Sequence, residues 1–504
     1  MSGQAQALAD RIDPTVEKMQ DVYVSFLAGL LRFRTVSGSQ VKERDELFLE
    51  ERKRAWRFLR IEAERLGLDF RLHDEEAAVI EWTGRDPDAD TLGIATHLDV
   101  VPATGDWTRP PFAGAVVDGE IWGRGAQDDK GPIAMALAAI DTLQRLDIPP
   151  RGTVRIFIGS REETTDWPDI DLLLEREEEP HRVLVPDGAF PIGIGEKGIA
   201  TLEWSTRWDR SSEERGGDLL RFVDLVGGDR ANVVPGDAHI RFAAPPERVE
   251  DAREHLETAC VELSGLSAEA ETEIQPVGSS TDEDEEQMVV TFHGRSAHAA
   301  IPHHGHNAVL DALTYLTLIP ELDPEVVTFA RFLHRHTRAI DGSGIEIDRT
   351  HPRFGDTTLN LGRARFDAHG ATATLNIRFP LGTTTDDVVD ACQSAAEDAA
   401  CNITTERIGR LQEPFLCDPE EHPVFFDAMR TAYQTVTGSE PKTLTIAGTT
   451  YAKLFENAVG FGPVDLSRDE PVLVHQTDER VSVERYLENI RIYALTIALL
   501  ACDT

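Results

Sequence analysis

The sequence predicts an α/β fold interrupted by an α+β insertion, on three observations. Short apolar runs alternate with helical patterns up to about residue 198. Strand-like pieces interleaved with helices then follow to about 413, and from about Glu420 the first rhythm returns. With no internal repeat and no long linker, the simplest architecture is one α/β domain, residues 1–199 and 414–504, with a second domain, 200–413, inserted into it.

Asp13-Pro14 reads as an N-cap with proline at the first helical position. After it Val16, Met19, Tyr23, Phe26, Leu27 and Leu30 recur at helical spacing, and a charged helix is expected from about Arg44 to Leu66. TLGIATH, TVRIFIG and HRVLV read as strands, with a helix from about Gly131 to Leu146 between the first two. Strands that alternate with helices predict a largely parallel sheet. In the insertion HIRFAA, QMVVTFHG and ATATLNIRFP read as strands among two or three helices, and the acidic TDEDEEQ (281–287) as a solvated loop. The returning half offers a helix to Thr437, strand TLTIA, a short helix and strand GFGPV. A final helix, Ser482 to Leu499, carries Val483, Tyr486, Leu487, Ile490, Ala494 and Ile497 on one face.

Ninety Asp+Glu stand against 50 Lys+Arg, for a formal net charge of -40. Nucleic acid and anionic membranes are therefore excluded as expected partners, because both need a basic footprint. With 41% hydrophobic residues the chain can still build a core. Only seven of the basic residues are lysines, none of them between Lys197 and Lys442. Abundant acid with scarce lysine predicts a halophilic, salt-screened cytoplasmic protein. Five scattered cysteines without CxxC pairing read as buried thiols in a reducing compartment. No signal segment or membrane span is expected.

In an open α/β sheet, ligands bind beyond the carboxyl ends of the strands. Each predicted strand here ends in a residue that suits metal or acid–base chemistry: His97 and Asp99, then Glu162 and Glu163, Asp187, and His475 after GFGPV. Asp128 and Asp129 open the helix that follows IWGRGAQ. Two histidines with several carboxylates and no thiolate suit zinc, manganese or cobalt. The adjacent Glu162-Glu163 would repel unless a cation lay beside them, which favours one ligand and one base.

These residues sit in blocks that resemble, in order, the dinuclear zinc peptidases. The blocks are HLDVVPATGDWTRPPFAG, IWGRGAQDDKGPIAMAL, the EE pair, VPDGAFPIGIGEKG, GRSAHAAIPHHGHNA, NIRFP, AGTTYAK and HQTDE. That family includes acetylornithine deacetylase, succinyl-diaminopimelate desuccinylase and aminoacylase, and the likeness extends to the dipeptidase V-like Xaa-Xaa dipeptidases. The resemblance implies a zinc-peptidase catalytic domain, with a mixed sheet flanked by helices, interrupted by an α+β lid domain. It implies two divalent ions, zinc with cobalt or manganese as alternatives, that activate water for hydrolysis of dipeptides or short peptides.

By the same resemblance His97 and Asp187 would hold one ion, Glu163 and His475 the other, and Asp128 would bridge them beside a cis peptide bond. Asp99 would orient His97, and Glu162 would be the general base. In the lid His298 would meet the developing oxyanion, and Asn232 and Arg378 would hold the substrate. The family usually has an acidic or small residue where Arg161 stands, and this arginine is expected to point outward to the acidic surface. HHGH (303–306) reads as a turn rather than a ligand cluster, and Lys130 and Lys197 as structural anchors. Thr and Ala replace glycines in AGTTYAK, which bears on the fit of substrate. The long insertion favours a monomer over a homodimer. The alternatives are a deacylase of N-acyl amino acids, a phosphoesterase, for which no phosphate cradle is present, and an inactive metal-binding module.

Overall fold

Leu92–His97 is buried along its whole length, and the first unit is built around it. The computed structural model describes residues 2–37, 46–164, 166–208, 219–279, 285–320 and 322–502. Leu92–His97 pairs in parallel with Val154–Gly159 on one side and Arg182–Val185 on the other. Ala458–Gly460 continues the parallel set beyond Arg182–Val185. Antiparallel strands Ala77–Trp82 and Asp69–His73 complete one edge. Ile192–Glu196, with Phe415–Leu416 and Thr443–Ile446, completes the other edge of a nine-stranded mixed sheet.

A strand's side chains alternate between faces, so successive residues of Val154–Gly159 enter different cores. Ile156 and Ile158 join a large cluster with Leu27, Trp56, Ile133, Phe425 and Ile490 from five helices, Ser2–Leu30, Glu46–Arg65, Lys130–Arg145, Pro423–Thr437 and Val483–Ala501. Phe157 joins a smaller cluster with Trp167, Ile170, Tyr451 and Phe455. Ser482 caps the last helix, its Oγ accepting from the Arg485 amide at 3.1 Å.

Three local readings change, and the charged helix keeps its expected place. The first helix starts at Ser2 and runs through Pro14 rather than starting there. Ala5, Leu8 and Ile12 extend the buried stripe that continues at Val16, and that packing offsets the hydrogen bond proline cannot donate. The charged helix spans Glu46–Arg65, with residues 44 and 45 outside the described residues. GFGPV is not one strand: the chain turns at Gly462, with φ 92°, between Ala458–Gly460 and Pro463–Asp465. Two of the five cysteines, Cys392 and Cys417, are buried and the others are half-buried.

The insertion is an antiparallel sheet of eight strands. In spatial order they are Glu271–Ser279, Glu286–His293, Asp237–Ala244, Arg221–Gly227, Thr358–Phe366, Gly370–Phe379, Gly198–Arg207 and Thr404–Arg407. Its core also takes residues from four helices among the described residues, where two or three were expected: Val249–Leu266, Ala308–Leu318, Pro324–Thr337 and Thr385–Glu397. Asn307, Asp323 and Thr384 cap the last three. Residues 281–284 of the expected acidic loop lie outside the described residues, and Glu286 and Gln287 open a strand instead.

The chain divides into two compact units, residues 1–196 with 415–504, and residues 197–414. The expected boundary at 199/200 falls inside Gly198–Arg207, which belongs with the insertion because Gly198 pairs with Phe379. Among the described residues, no helix is long and apolar enough to cross a membrane.

Candidate active site

Because Leu92–His97, Val154–Gly159 and Arg182–Val185 are parallel, their carboxyl ends lie along one edge. His97 ends the first strand, Glu162 and Glu163 follow the second, and Asp187 follows the third. Asp128 sits just before the helix Lys130–Arg145, joined to Asp129 by a cis peptide bond. His475 lies in the segment before Arg480–Ser482 with φ 61°, a left-handed conformation uncommon for a residue with a Cβ.

Asp128 stands between the two histidines. Its Oδ1 is 2.9 Å from His97 Nε2 and its Oδ2 is 3.0 Å from His475 Nε2. Asp187 Oδ2 lies 3.7 Å from His97 Nε2, and Glu163 Oε1 lies 3.0 Å from His475 Nε2. Ligand atoms of His97, Glu162 and Asp187 all lie within 4.8 Å of one another, as do those of His97, Asp128 and Glu163.

The donor chemistry fits divalent cations. His97 Nδ1 faces the main-chain oxygen of Asp99 at 3.0 Å. A carbonyl only accepts, so Nδ1 carries a proton, and neutral His97 presents the Nε2 lone pair to the carboxylates. His97 Nε2 and Asp128 Oδ1 are both buried, yet neither has a hydrogen-bond partner among the described residues. Two electron-rich atoms held together without an aligned hydrogen bond mark a place for a cation.

Without a cation, protons must offset the clustered charge. Burial opposes charge on His97, but Asp187, Asp128 and Asp99 raise its pKa well above the ordinary value. His475 is pushed up to about 11 by Glu163 and Asp128 against its burial. Burial, reinforced by Asp187, raises Glu162 well above the carboxylate range, and burial with Asp128 raises Asp187 to about 6. Asp128 is buried as well, but His475 and His97 hold it well below that range.

A polar frame fixes the Glu162-Glu163 pair. Asp99 Oδ1 accepts from the Glu162 amide and Oδ2 from the Glu163 amide, each at 3.1 Å, while Ser37 Oγ donates to Oδ2. Asp99 therefore meets His97 through its main-chain oxygen, with the carboxylate 3.4 Å from Nδ1, and spends its carboxylate on the two glutamate amides. Asp169, which the sequence reading passed over, accepts from the amides of Ser160 at 2.5 Å and Arg161 at 2.7 Å and from Tyr451 Oη at 2.7 Å. Arg161 does not run out to the surface: it is largely buried and pairs with Glu76 at 2.9 Å, where Arg52 also pairs at 2.6 Å.

Thr450 donates its amide and hydroxyl to the buried Glu196, at 3.0 and 2.6 Å. Lys130 is fully buried and donates to the Phe33 carbonyl at 2.5 Å, and Lys197 donates to the Asp356 carbonyl.

Within the insertion, His298, Asn232 and Arg378 lie on connected backbone. Val233 pairs with His298, and the Ala299 amide donates to Asn232 O at 2.9 Å. Thr358, opposite Arg378 in the sheet, donates its hydroxyl to Ala299 O at 3.2 Å. His298 Nδ1 accepts from the Ala300 amide at 3.3 Å, so the neutral ring carries its proton on Nε2, as a donor. Arg378 is 5% exposed, and burial lowers its pKa to about 10. Asn360 holds this patch by donating to the carbonyls of Ala231 at 2.8 Å and Val233 at 3.0 Å; an asparagine in a strand carries no sequence mark of that role. His306 of HHGH pairs with Asp311 at 2.6 Å.

A family model, peptidase family M20/M25/M40, matches residues 93–499. The chain belongs to peptidase family M20/M25/M40. It is a hydrolase of the metallopeptidase type. A Staphylococcus aureus protein named "Putative dipeptidase" is 28% identical over 490 residues, covering 97% of this chain and 99% of the relative. Human carnosine dipeptidase 1 has a similar fold, with a TM-score of 0.58, 15% identity and 98% of each chain covered. The dipeptidase Dug1p from Saccharomyces cerevisiae matches with a TM-score of 0.59, 13% identity and 99% of each chain covered.

Proposed function

We propose that this enzyme hydrolyses dipeptides with two divalent ions held by His97 and Asp187, by Glu163 and His475, and jointly by Asp128. The observation that carries the reading is Asp128, whose two oxygens face different histidines at 2.9 and 3.0 Å. Zinc suits this histidine and carboxylate set, as do cobalt and manganese. Bound there, such ions would acidify water and polarise the scissile carbonyl.

Glu162 is the residue we read as the proton carrier. As a carboxylate beside His97 and Asp187, it can take a proton from water and return it to the leaving amine nitrogen. As the C–N bond breaks, the acyl carbon keeps the water's oxygen and leaves as a carboxylate. His298 Nε2–H supplies a donor for a developing oxyanion. Arg378 and Asn232 supply cationic and amide groups for the substrate's carboxylate.

Relatives named "Putative dipeptidase", matched over 84% and 99% of their own length, favour a dipeptide substrate over an N-acyl amino acid. The test is a panel of dipeptides and N-acyl amino acids offered to stripped protein reloaded with zinc, cobalt or manganese. The reading expects turnover of dipeptides only after reloading; activity confined to N-acyl amino acids overturns it. We also read the charge of -40 as surface solvation in a salt-rich cytoplasm, and the chain as a monomer. An obligate dimer by light scattering at high salt would contradict the monomer.

A further inference from the structure

We infer that Glu479 is a positioning residue for the paired-ion centre, setting the separation of Asp128 from His475. The inference rests on the two-ion reading above. Glu479 has no exposed surface, although it lies in an otherwise exposed or half-buried segment of an acid-rich chain. Its Oε1 accepts from three successive points of the segment leading into Asp128: the amides of Gly125 at 3.1 Å, Gln127 at 2.8 Å and Asp128 at 3.2 Å. Its Oε2 pairs with the buried Arg124 at 2.7 Å, and its main-chain oxygen accepts from the Gly123 amide at 3.0 Å.

The bracing is reciprocal. Gln127 Nε2 donates to the carbonyls of Pro471 at 3.2 Å and Arg480 at 3.0 Å, and its Oε1 accepts from the Leu473 amide at 2.8 Å. The two segments that deliver Asp128 and His475 are thus interlocked by side chains reaching in opposite directions. A carboxylate that gathers the amide next to Asp128 from a backbone four residues past His475 acts on the spacing of those two ligands. Groups of this kind typically change metal affinity about 10–100-fold when removed.

Reach and charge make opposite demands on variants. Glu479→Asp keeps the charge but is shorter by about 1.5 Å, one C–C bond, so it cannot hold both segments at their present distance. Glu479→Gln keeps the length and an accepting oxygen for the three amides, but deprives buried Arg124 of its carboxylate, which costs stability. We expect the metal-free melting temperature to fall more for Gln than for Asp. Chelator-competition titration with zinc should rank them the other way. Asp should bind one of two ions about 10–100-fold more weakly, the same ion that His475→Ala weakens, and Gln should lose less than about tenfold.

Parental affinity for both ions in Glu479→Asp overturns the inference. So does a fall in affinity that follows the order of stability, because a purely structural role predicts that order. A parent protein that binds only one ion sinks the two-ion reading and this inference with it, whereas a parent that binds two leaves the variants to decide the inference alone.

Discussion

Asp99→Asn isolates the frame that holds the base and one ligand. The carboxylate accepts one amide on each oxygen, Glu162 at 3.1 Å and Glu163 at 3.1 Å. Asparagine preserves the volume but has one oxygen, so its amide nitrogen must face one of those N–H groups. A hydrogen bond to a charged group contributes about 1.5–3 kcal/mol, and an orphaned buried N–H costs about 1–3 kcal/mol. The penalty for holding Glu162 and Glu163 in place is therefore about 1.5–3 kcal/mol, or roughly 10–100-fold in ion affinity at 1.4 kcal/mol per decade. Chelator competition on stripped protein measures the affinity, and turnover at saturating metal measures the placement of Glu162. Ser37→Ala is the control: it removes the third donor to Asp99 but leaves both amide bonds, so its effect should be the smaller of the two. Parental affinity and turnover in Asp99→Asn, or a larger effect from Ser37→Ala, would refute the argument.

A Cβ at Gly159 would lie 2.2 Å from Tyr451 Oη and 2.4 Å from Asp169 Oδ2. Both neighbours are buried, so Gly159→Ala should lower the melting temperature, with a loss above about 1–3 kcal/mol; adding Tyr451→Phe removes the nearer atom and should restore part of it. Burial alone would raise the pKa of Glu76, but hydrogen bonds from Arg52 and Arg161 hold it below the usual carboxylate value. Its contribution is thus present above the unfolded value of about 4.3 and is lost as pH falls through the lower folded value. The melting-temperature deficit of Glu76→Gln at pH 7 should shrink in a pH series carried below about 4. With a net charge of -40, melting temperature should rise steeply with salt up to about 1 M, where the screening length is about 3 Å. A flat salt series would exclude a halophilic role for the acidic surface.

The catalytic unit was legible where chemistry sits at the ends of apolar runs. His97, Glu162, Glu163 and Asp187 were found because a strand period stops and a polar residue follows, and parallel pairing then places those stops on one edge. What could not be read is who answers whom across long separations. Glu479 lies 351 residues from the Asp128 amide it accepts, and Glu76 lies 85 residues from Arg161. In a chain with 90 acids, Glu76 does not differ in sequence from one that merely solvates the surface, and Glu479 is marked only as the last residue of the HQTDE block, with no partner indicated. Asp99 shows a subtler limit: its neighbourhood to His97 was visible, but the amides that occupy its carboxylate were not. Pro14 shows local preference yielding to tertiary packing, since a rule for helix starts carries no weight against a buried stripe that continues past it.

Glu162→Gln tests the central claim most directly, because it removes the base while leaving every proposed ligand in place. Metal content and turnover should be measured on the same metal-loaded preparation. The account predicts two ions per chain, as in the parent, with dipeptide turnover lower by about 10²–10⁴-fold. Near-parental turnover with both ions bound would contradict it.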